Sequence, residues 1–163
     1  FNIDYRLAPK HPFPAALEDA AEAYAWVVDR AADFHADAAR LVLAGESAGA
    51  NLVAALTLAA CVERPEAFAR RVFATGLVPR TVLPACGIHQ VTDPERFRRR
   101  NPKLPRVIAD RIEEVTRAYV GHARPDDPSI DLADPVRVFE GDITPVRPLP
   151  HAFLTCEIGR AHV

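Results

Sequence analysis

The stretch Arg40-Leu41-Val42-Leu43-Ala44-Gly45-Glu46-Ser47-Ala48-Gly49-Ala50-Asn51-Leu52 decides the fold. Arg40–Ala44 is a short apolar run with a glycine directly after it, which suits a buried parallel strand. From Ser47 the pattern changes to a helix carrying Leu52, Ala55, Leu56 and Ala59 on one side, expected to end before Pro65. Between the two lies Gly45-Glu46-Ser47-Ala48-Gly49, a G-x-S-x-G motif. The motif alone is weak, and its setting between strand and helix is what raises it. Such a turn strains the backbone of its serine and needs small neighbours, here Gly45 and Gly49. Ser47 is expected to project beyond the C-terminal end of the strand, where open α/β sheets bind ligands. The helix behind it aims N–H groups at the same point, so the Ala48 N–H is expected to stabilise the oxyanion of an acyl transfer. A glycine-flanked turn without chemistry is the alternative.

Outward from this motif, strands and helices alternate. Phe1–Tyr5 has apolar residues at alternate positions and reads as the end of a strand. Leu7–Pro14 holds three of the chain's prolines and reads as an extended loop. A helix is predicted from Pro14, with Leu17, Ala21, Tyr24 and Val28 as its buried stripe and Glu18 and Asp19 near its start. Thr81–Val91 reads as a further strand, against which Pro84 and Gly87 count. Pro105 opens a helix with Ile108, Ile112, Val115 and Tyr119 on one face, a Glu113–Arg117 pair, and Gly121 as its stop. A proline- and aspartate-rich connection follows to Pro150, and His151–Cys156 reads as a final strand. The fold class is α/β, a mostly parallel sheet flanked by helices.

Composition narrows the function classes. The 163 residues carry a formal net charge of −2, with 49% hydrophobic and 26% charged residues, as ordinary globular domains do. Near-neutral charge gives no reason to expect nucleic acid or an anionic membrane surface as partner. No apolar run is long enough to span a bilayer. The oligomeric state leaves no mark on the sequence. The three cysteines, Cys61, Cys86 and Cys156, are widely spaced and form no CxxC pair, so neither a disulfide framework nor a zinc site is expected. Buried structural thiols and a reducing, cytoplasmic compartment are the expectation. The chain holds no methionine and opens at Phe1, so a piece of a longer reading frame is expected.

Two blocks carry a resemblance. Asp4-Tyr5-Arg6-Leu7-Ala8-Pro9-Lys10-His11-Pro12-Phe13-Pro14-Ala15-Ala16-Leu17-Glu18-Asp19 closely resembles the D-Y-R-L-A-P-E-H-x-F-P-A-A-x-E-D block of the hormone-sensitive-lipase-like family of α/β-hydrolases. Gly45-Glu46-Ser47-Ala48-Gly49-Ala50-Asn51-Leu52 resembles that family's nucleophile elbow, G-[DE]-S-A-G-G-N-L. Lys10 and Ala50 depart from the pattern and leave the elbow intact. The resemblance implies serine-dependent hydrolysis of small-molecule carboxylic esters, with short to medium acyl chains and neither metal nor cofactor. It also implies that the His-Gly-Gly-Gly oxyanion loop belongs before Phe1, while the catalytic acid and histidine belong after Cys156. Of the catalytic set, Ser47 and the Ala48 N–H remain, so the chain by itself is expected to be inactive. A non-catalytic small-molecule receptor on the same fold and an amide hydrolase of arylformamidase type are the alternatives.

The partial hydrolase domain is expected to span residues 1–156, and residues 157–163 to be foreign. Ile158–Val163 is what ATC GGA AGA GCA CAC GTC encodes, a common sequencing-adapter sequence. His162 falls in that tail and is discounted as a triad base. His11, His35, His89, His122 and His151 are read as loop or surface residues. Asp126, Asp127, Asp131 and Asp134 are read as an ordinary surface connection rather than a metal loop. The basic run Arg96, Arg98, Arg99 and Arg100 is read as a solvated loop. Asp4 and Arg6 are expected to brace the loop after the first strand.

Overall fold

Alanine and leucine are strong helix formers, and proline at a helix start costs nothing. Those two facts place most of the helices. The computed structural model describes residues 1–121, 127–141 and 143–152. In chain order its elements are α1 (Ala15–Arg30), β1 (Val42–Glu46), α2 (Ala48–Cys61), α3 (Ala67–Ala74), β2 (Thr81–Ala85), α4 (Glu95–Arg100), α5 (Arg106–Val120), α6 (Pro135–Glu140) and β3 (His151–Ala152). Tight 3-10 turns occupy Ala31–Phe34, Ala38–Arg40 and Pro128–Ala133. Among the described residues the sheet has the order β1-β2-β3, and both pairings are parallel. Val42 lies opposite Thr81 and Glu46 opposite Ala85, so β1 and β2 end level with each other beside Ser47.

Helix α2 is the centre of the core. From Ala50 to Cys61 every residue except Ala54 is buried. A helix apolar all round must be covered on all sides. Sheet, α1 and α3 cover it, with Leu17, Tyr24 and Val72 packed among its leucines. Full burial of a side chain such as Leu58 contributes about 1.5–3 kcal/mol. The segment before β3 straps the far end of α2. Arg147 donates to the Ala60 carbonyl at 2.8 Å and lies 3.7 Å over the Phe73 ring. A cation there also complements the negative end of the helix.

Several expectations change. Phe1–Tyr5 is not a strand. Phe1 is 70% exposed, and its ring stacks edge-on with Trp26 and Phe34 rather than entering a sheet. β1 is parallel but not buried: it is the sheet's edge, with Val42 49% exposed. β2 stops at Ala85, six residues short of Val91. Cys86 turns to a φ of 51°, and a Cβ on Gly87 would sit 2.7 Å from the Ala50 side chain. Cys61 is free and buried as expected, and burial pushes its thiol pKa up. Cys86 is disulfide-bonded, which corrects the expectation of separate thiols. The basic run is a helix, α4, and is ion-paired: Arg96 with Glu140, Arg99 with Asp93, and Arg98 3.7 Å from Glu113. Residues 122–126, which include His122 and Asp126, lie outside the described residues, as does the strand predicted beyond Ala152 and the expected tail 157–163.

Asp134 is the largest correction among the aspartates. It is 1% exposed, and its carboxylate accepts from the Val91 and Thr92 N–H groups and from the Thr92 hydroxyl. Burying a charge is costly unless such bonds meet it. Its companions behave otherwise: Asp127 caps a turn through Ser129 N–H, and Asp131 pairs with Arg64. Arg6 braces the early loop as expected. Its backbone N–H and guanidinium both bond Asp19, and the same guanidinium reaches Glu18 at 2.9 Å and the Ala15 carbonyl at 3.2 Å.

Two outcomes follow from these anchors. Asp134→Ala leaves buried N–H groups unpaired and is expected to cost roughly 2–4 kcal/mol by denaturant titration; a loss under about 1 kcal/mol contradicts the strut. The Arg6 guanidinium holds the Asp19 carboxyl below its usual range. The stability linked to that shift is present above the unfolded pKa of about 4 and disappears as pH falls through the lowered folded value. Arg6→Ala is therefore expected to lower Tm at pH 7, with the gap to wild type closing below about pH 4.

Candidate active site

Ser47 follows the last residue of β1 and precedes the first of α2. The chain reverses within this one residue, whose φ of 53° and ψ of −111° lie where L side chains are strained. Such a conformation costs on the order of 1–3 kcal/mol and persists only when its surroundings enforce it. They do so here from both sides. The Ser47 N–H donates to the Ala85 carbonyl at 2.9 Å, and the Ser47 carbonyl accepts from Ala50 N–H at 3.1 Å.

The two glycines of the motif play different parts. A Cβ on Gly45 would lie 2.3 Å from the Gly49 carbonyl oxygen and 2.9 Å from Ala50 N, so only glycine fits. A Cβ on Gly49 would meet nothing within 4 Å. The expected close approach of strand and helix is present, and Gly45 alone permits it; Gly49 contributes its backbone as the surface approached. Glu46 closes β1 and is exposed, as are Ser47 and Ala48.

Ser47 stands at the N-cap of α2 and makes no side-chain capping bond. Serine at that position normally spends its oxygen on the first-turn N–H groups. Here the hydroxyl is left available, as is the first turn, where backbone N–H groups lack intrahelical acceptors and the helix end is positive. The Ala48 N–H belongs to that turn, which holds no acidic residue.

Ser47 and Ala48 line a cavity of about 260 Å³. Its walls are mainly apolar, with Leu7, Leu52, Ile88 and Val115 among them, and Tyr5 and Tyr119 add phenol rings. No histidine and no carboxylate lines it among the described residues. His11, His35, His89 and His151 lie elsewhere, and His162 is outside the described residues. Sequence reasoning did not single out Asn51 or Tyr119. Asn51 ties α2 to two loops, its Nδ2 donating to the carbonyls of Ile88 at 2.8 Å and Ala133 at 2.9 Å. Its place in the second family-like block was the available signal. Tyr119 was read only as one member of an apolar helix face.

A parallel sheet whose strand ends in a strained serine turn, with a helix N-terminus behind it, defines an α/β architecture of the hydrolase type. Residues 1–157 match the family described as alpha/beta hydrolase fold, and the chain belongs to it. It is 34% identical over 131 residues to hormone-sensitive lipase of Ictidomys tridecemlineatus, covering 80% of this chain and 16% of that protein. It is 46% identical over 55 residues to carboxylesterase NlhH of Mycobacterium tuberculosis, covering 34% and 17%. Among solved structures, esterase LipW of Mycobacterium marinum matches with a TM-score of 0.63 at 33% identity, over 94% of this chain and 42% of that one. An esterase from the archaeon Pyrobaculum calidifontis matches with a TM-score of 0.66 at 28% identity, over 93% and 43%. The chain thus spans less than half the length of each of these proteins.

The unequal glycines give a direct test. Gly45→Ala is expected to destabilise by about 2–3 kcal/mol or more, because the clash is with backbone. Gly49→Ala is expected to be neutral within about 1 kcal/mol, since alanine also favours helix. Equal losses in chemical denaturation would contradict this division.

Proposed function

We propose that this chain is the nucleophile-bearing part of a serine-dependent carboxylic ester hydrolase. The observation that carries the reading is Ser47 itself, a strained N-cap serine with an unspent hydroxyl on the wall of an apolar cavity. Esterase and lipase relatives support the substrate class. Ser47 Oγ attacks the ester carbonyl and loses its proton to a histidine, which an acidic residue orients. The Ala48 N–H meets the developing oxyanion, and the positive end of α2 strengthens that interaction in apolar surroundings. The protonated histidine gives its proton to the departing alcohol. Water, deprotonated in turn, then cleaves the acyl-enzyme and restores Ser47. These steps call for no metal or cofactor, and the substrate is a small-molecule ester. Among the described residues no helix is long and apolar enough to cross a membrane. Cytoplasmic residence, inferred from cysteine usage, loses that support because Cys86 is disulfide-bonded.

A fluorophosphonate probe tests the reading on the full-length protein. Labelling is expected to vanish in Ser47→Ala, and ester hydrolysis to fall on the order of 10⁴-fold or more. Ser47→Gly is expected to lose labelling as well while gaining about 1 kcal/mol, since glycine accepts a positive φ. Absence of labelling in the wild type, or labelling that survives Ser47→Ala, defeats the proposal and leaves the receptor reading.

A further inference from the structure

We propose that Asn51 is a positioning residue: by holding Ile88 in the wall of the Ser47 cavity, it sets how strongly the enzyme prefers esters with a longer alkyl group. The inference rests on the ester-hydrolase reading above. Asn51 is 4% exposed and lies one helical turn beyond Ser47, in α2. Its Nδ2 donates to the carbonyl of Ile88 at 2.8 Å, 37 positions away, and to that of Ala133 at 2.9 Å, 82 positions away. Both partners are acceptors, so only the NH2 end of the amide can face them.

The loop carrying Ile88 begins where β2 ends, at Ala85, whose carbonyl accepts the Ser47 N–H at 2.9 Å. Cys86 turns at a φ of 51°, and Gly87 then passes so close to α2 that a Cβ on it would lie 2.7 Å from the Ala50 side chain. That approach brings the Ile88 carbonyl within reach of Asn51. Further along, Asp134 takes over by accepting from the Val91 N–H, and Ala133, the second partner of Asn51, directly precedes Asp134. Both anchors therefore act on one wall, since Ile88 and Val91 line the cavity with Ser47. Because Asn51 and Ser47 sit on adjacent turns of one buried helix, α2 fixes how far the nucleophile stands from Ile88. An apolar wall discriminates by contact with alkyl groups, and that attraction fades steeply as a gap opens. Loss of the Asn51 donors loosens the wall and so penalises long esters more than short ones.

The test measures kcat/KM of the full-length enzyme on ethyl acetate, ethyl hexanoate and hexyl acetate. These carry a long alkyl group on neither side of the ester, on the acyl side and on the alcohol side. The ratio of a long ester to ethyl acetate cancels any loss of folded enzyme. Wild type is expected to prefer at least one long ester by about tenfold or more. Asn51→Asp keeps the side-chain shape, removes both donors, and is expected to lower that ratio about tenfold, chiefly through KM. Asn51→Ser carries the same readout if Asn51→Asp does not fold. Ile88→Ala is expected to lower the ratio as well, and Asn51→Asp to change it less than about twofold further in that background, because both act on one wall. A wild-type ratio near one, a ratio unchanged in the Asn51 variants, or losses that multiply in the double variant overturn the proposal, provided Ser47→Ala abolishes hydrolysis of all three esters. Hydrolysis that persists in Ser47→Ala overturns the nucleophile assignment instead.

Discussion

Everything about the site depends on the contact between Gly45 and the backbone of Gly49. The end of β1 can lie against the first turn of α2 only because Gly45 has no side chain. That approach is what forces Ser47 into a positive φ. The strain, on the order of 1–3 kcal/mol, is small against the burial that holds the two elements together. α2 cannot move away from β1 without exposing Leu56, Leu58 and the alanines beside them, each leucine contributing about 1.5–3 kcal/mol. β1 cannot move away either, since its residues from Val42 to Glu46 pair with β2. The core thus enforces the geometry of one residue at its edge.

The opposite walls of the cavity are held by polar anchors rather than by the sheet. Arg6 fastens the loop after Tyr5 to the first turn of α1, and Asp134 fastens Val91 and Thr92 from below. Asn51 joins these loops to α2. Loops cannot satisfy their own backbone groups as helices and strands do, so charged and amide side chains complete the hydrogen bonding. The result is a cavity whose floor is set by secondary structure and whose rim is set by the side-chain bonds of Arg6, Asn51 and Asp134.

This difference explains what could be read from sequence. The G-x-S-x-G motif, the strand before it and the helix after it rest on local rules, and each formed, although β1 runs Val42–Glu46 rather than Arg40–Ala44 and lies at the sheet's edge among the described residues. The start of α1 at Pro14 and the end of α5 at Gly121 are local too. Several misreadings are non-local. Phe1–Tyr5 has strand-like alternation, yet a strand forms only beside a partner. Asp134 looks like a turn residue among prolines, and only its contact with residues 91 and 92, more than forty positions away, makes it a buried strut. The distinct roles of Gly45 and Gly49 are invisible in a pattern that writes both as G. Tyr119 shares a helical face with apolar residues, so its ring was legible and the burial of its hydroxyl was not.

The uncapped start of α2 shows where local rules and function part. A serine at a helix N-cap contributes about 1 kcal/mol when its oxygen meets a first-turn N–H. Ser47 holds that position without making the bond, and the first turn behind it carries no carboxylate to complement the dipole. Two ordinary sources of helix stability are therefore unused at the same end of the same helix. The helix does not need them, because burial along almost its whole length stabilises it far more than a cap could. Freed from capping, the hydroxyl is available for the role proposed for it, on a residue that lines the cavity together with Ala48. An acidic residue in that first turn would stabilise the helix and oppose the charge proposed to form there, and a glycine at 47 would remove the strain and the hydroxyl together.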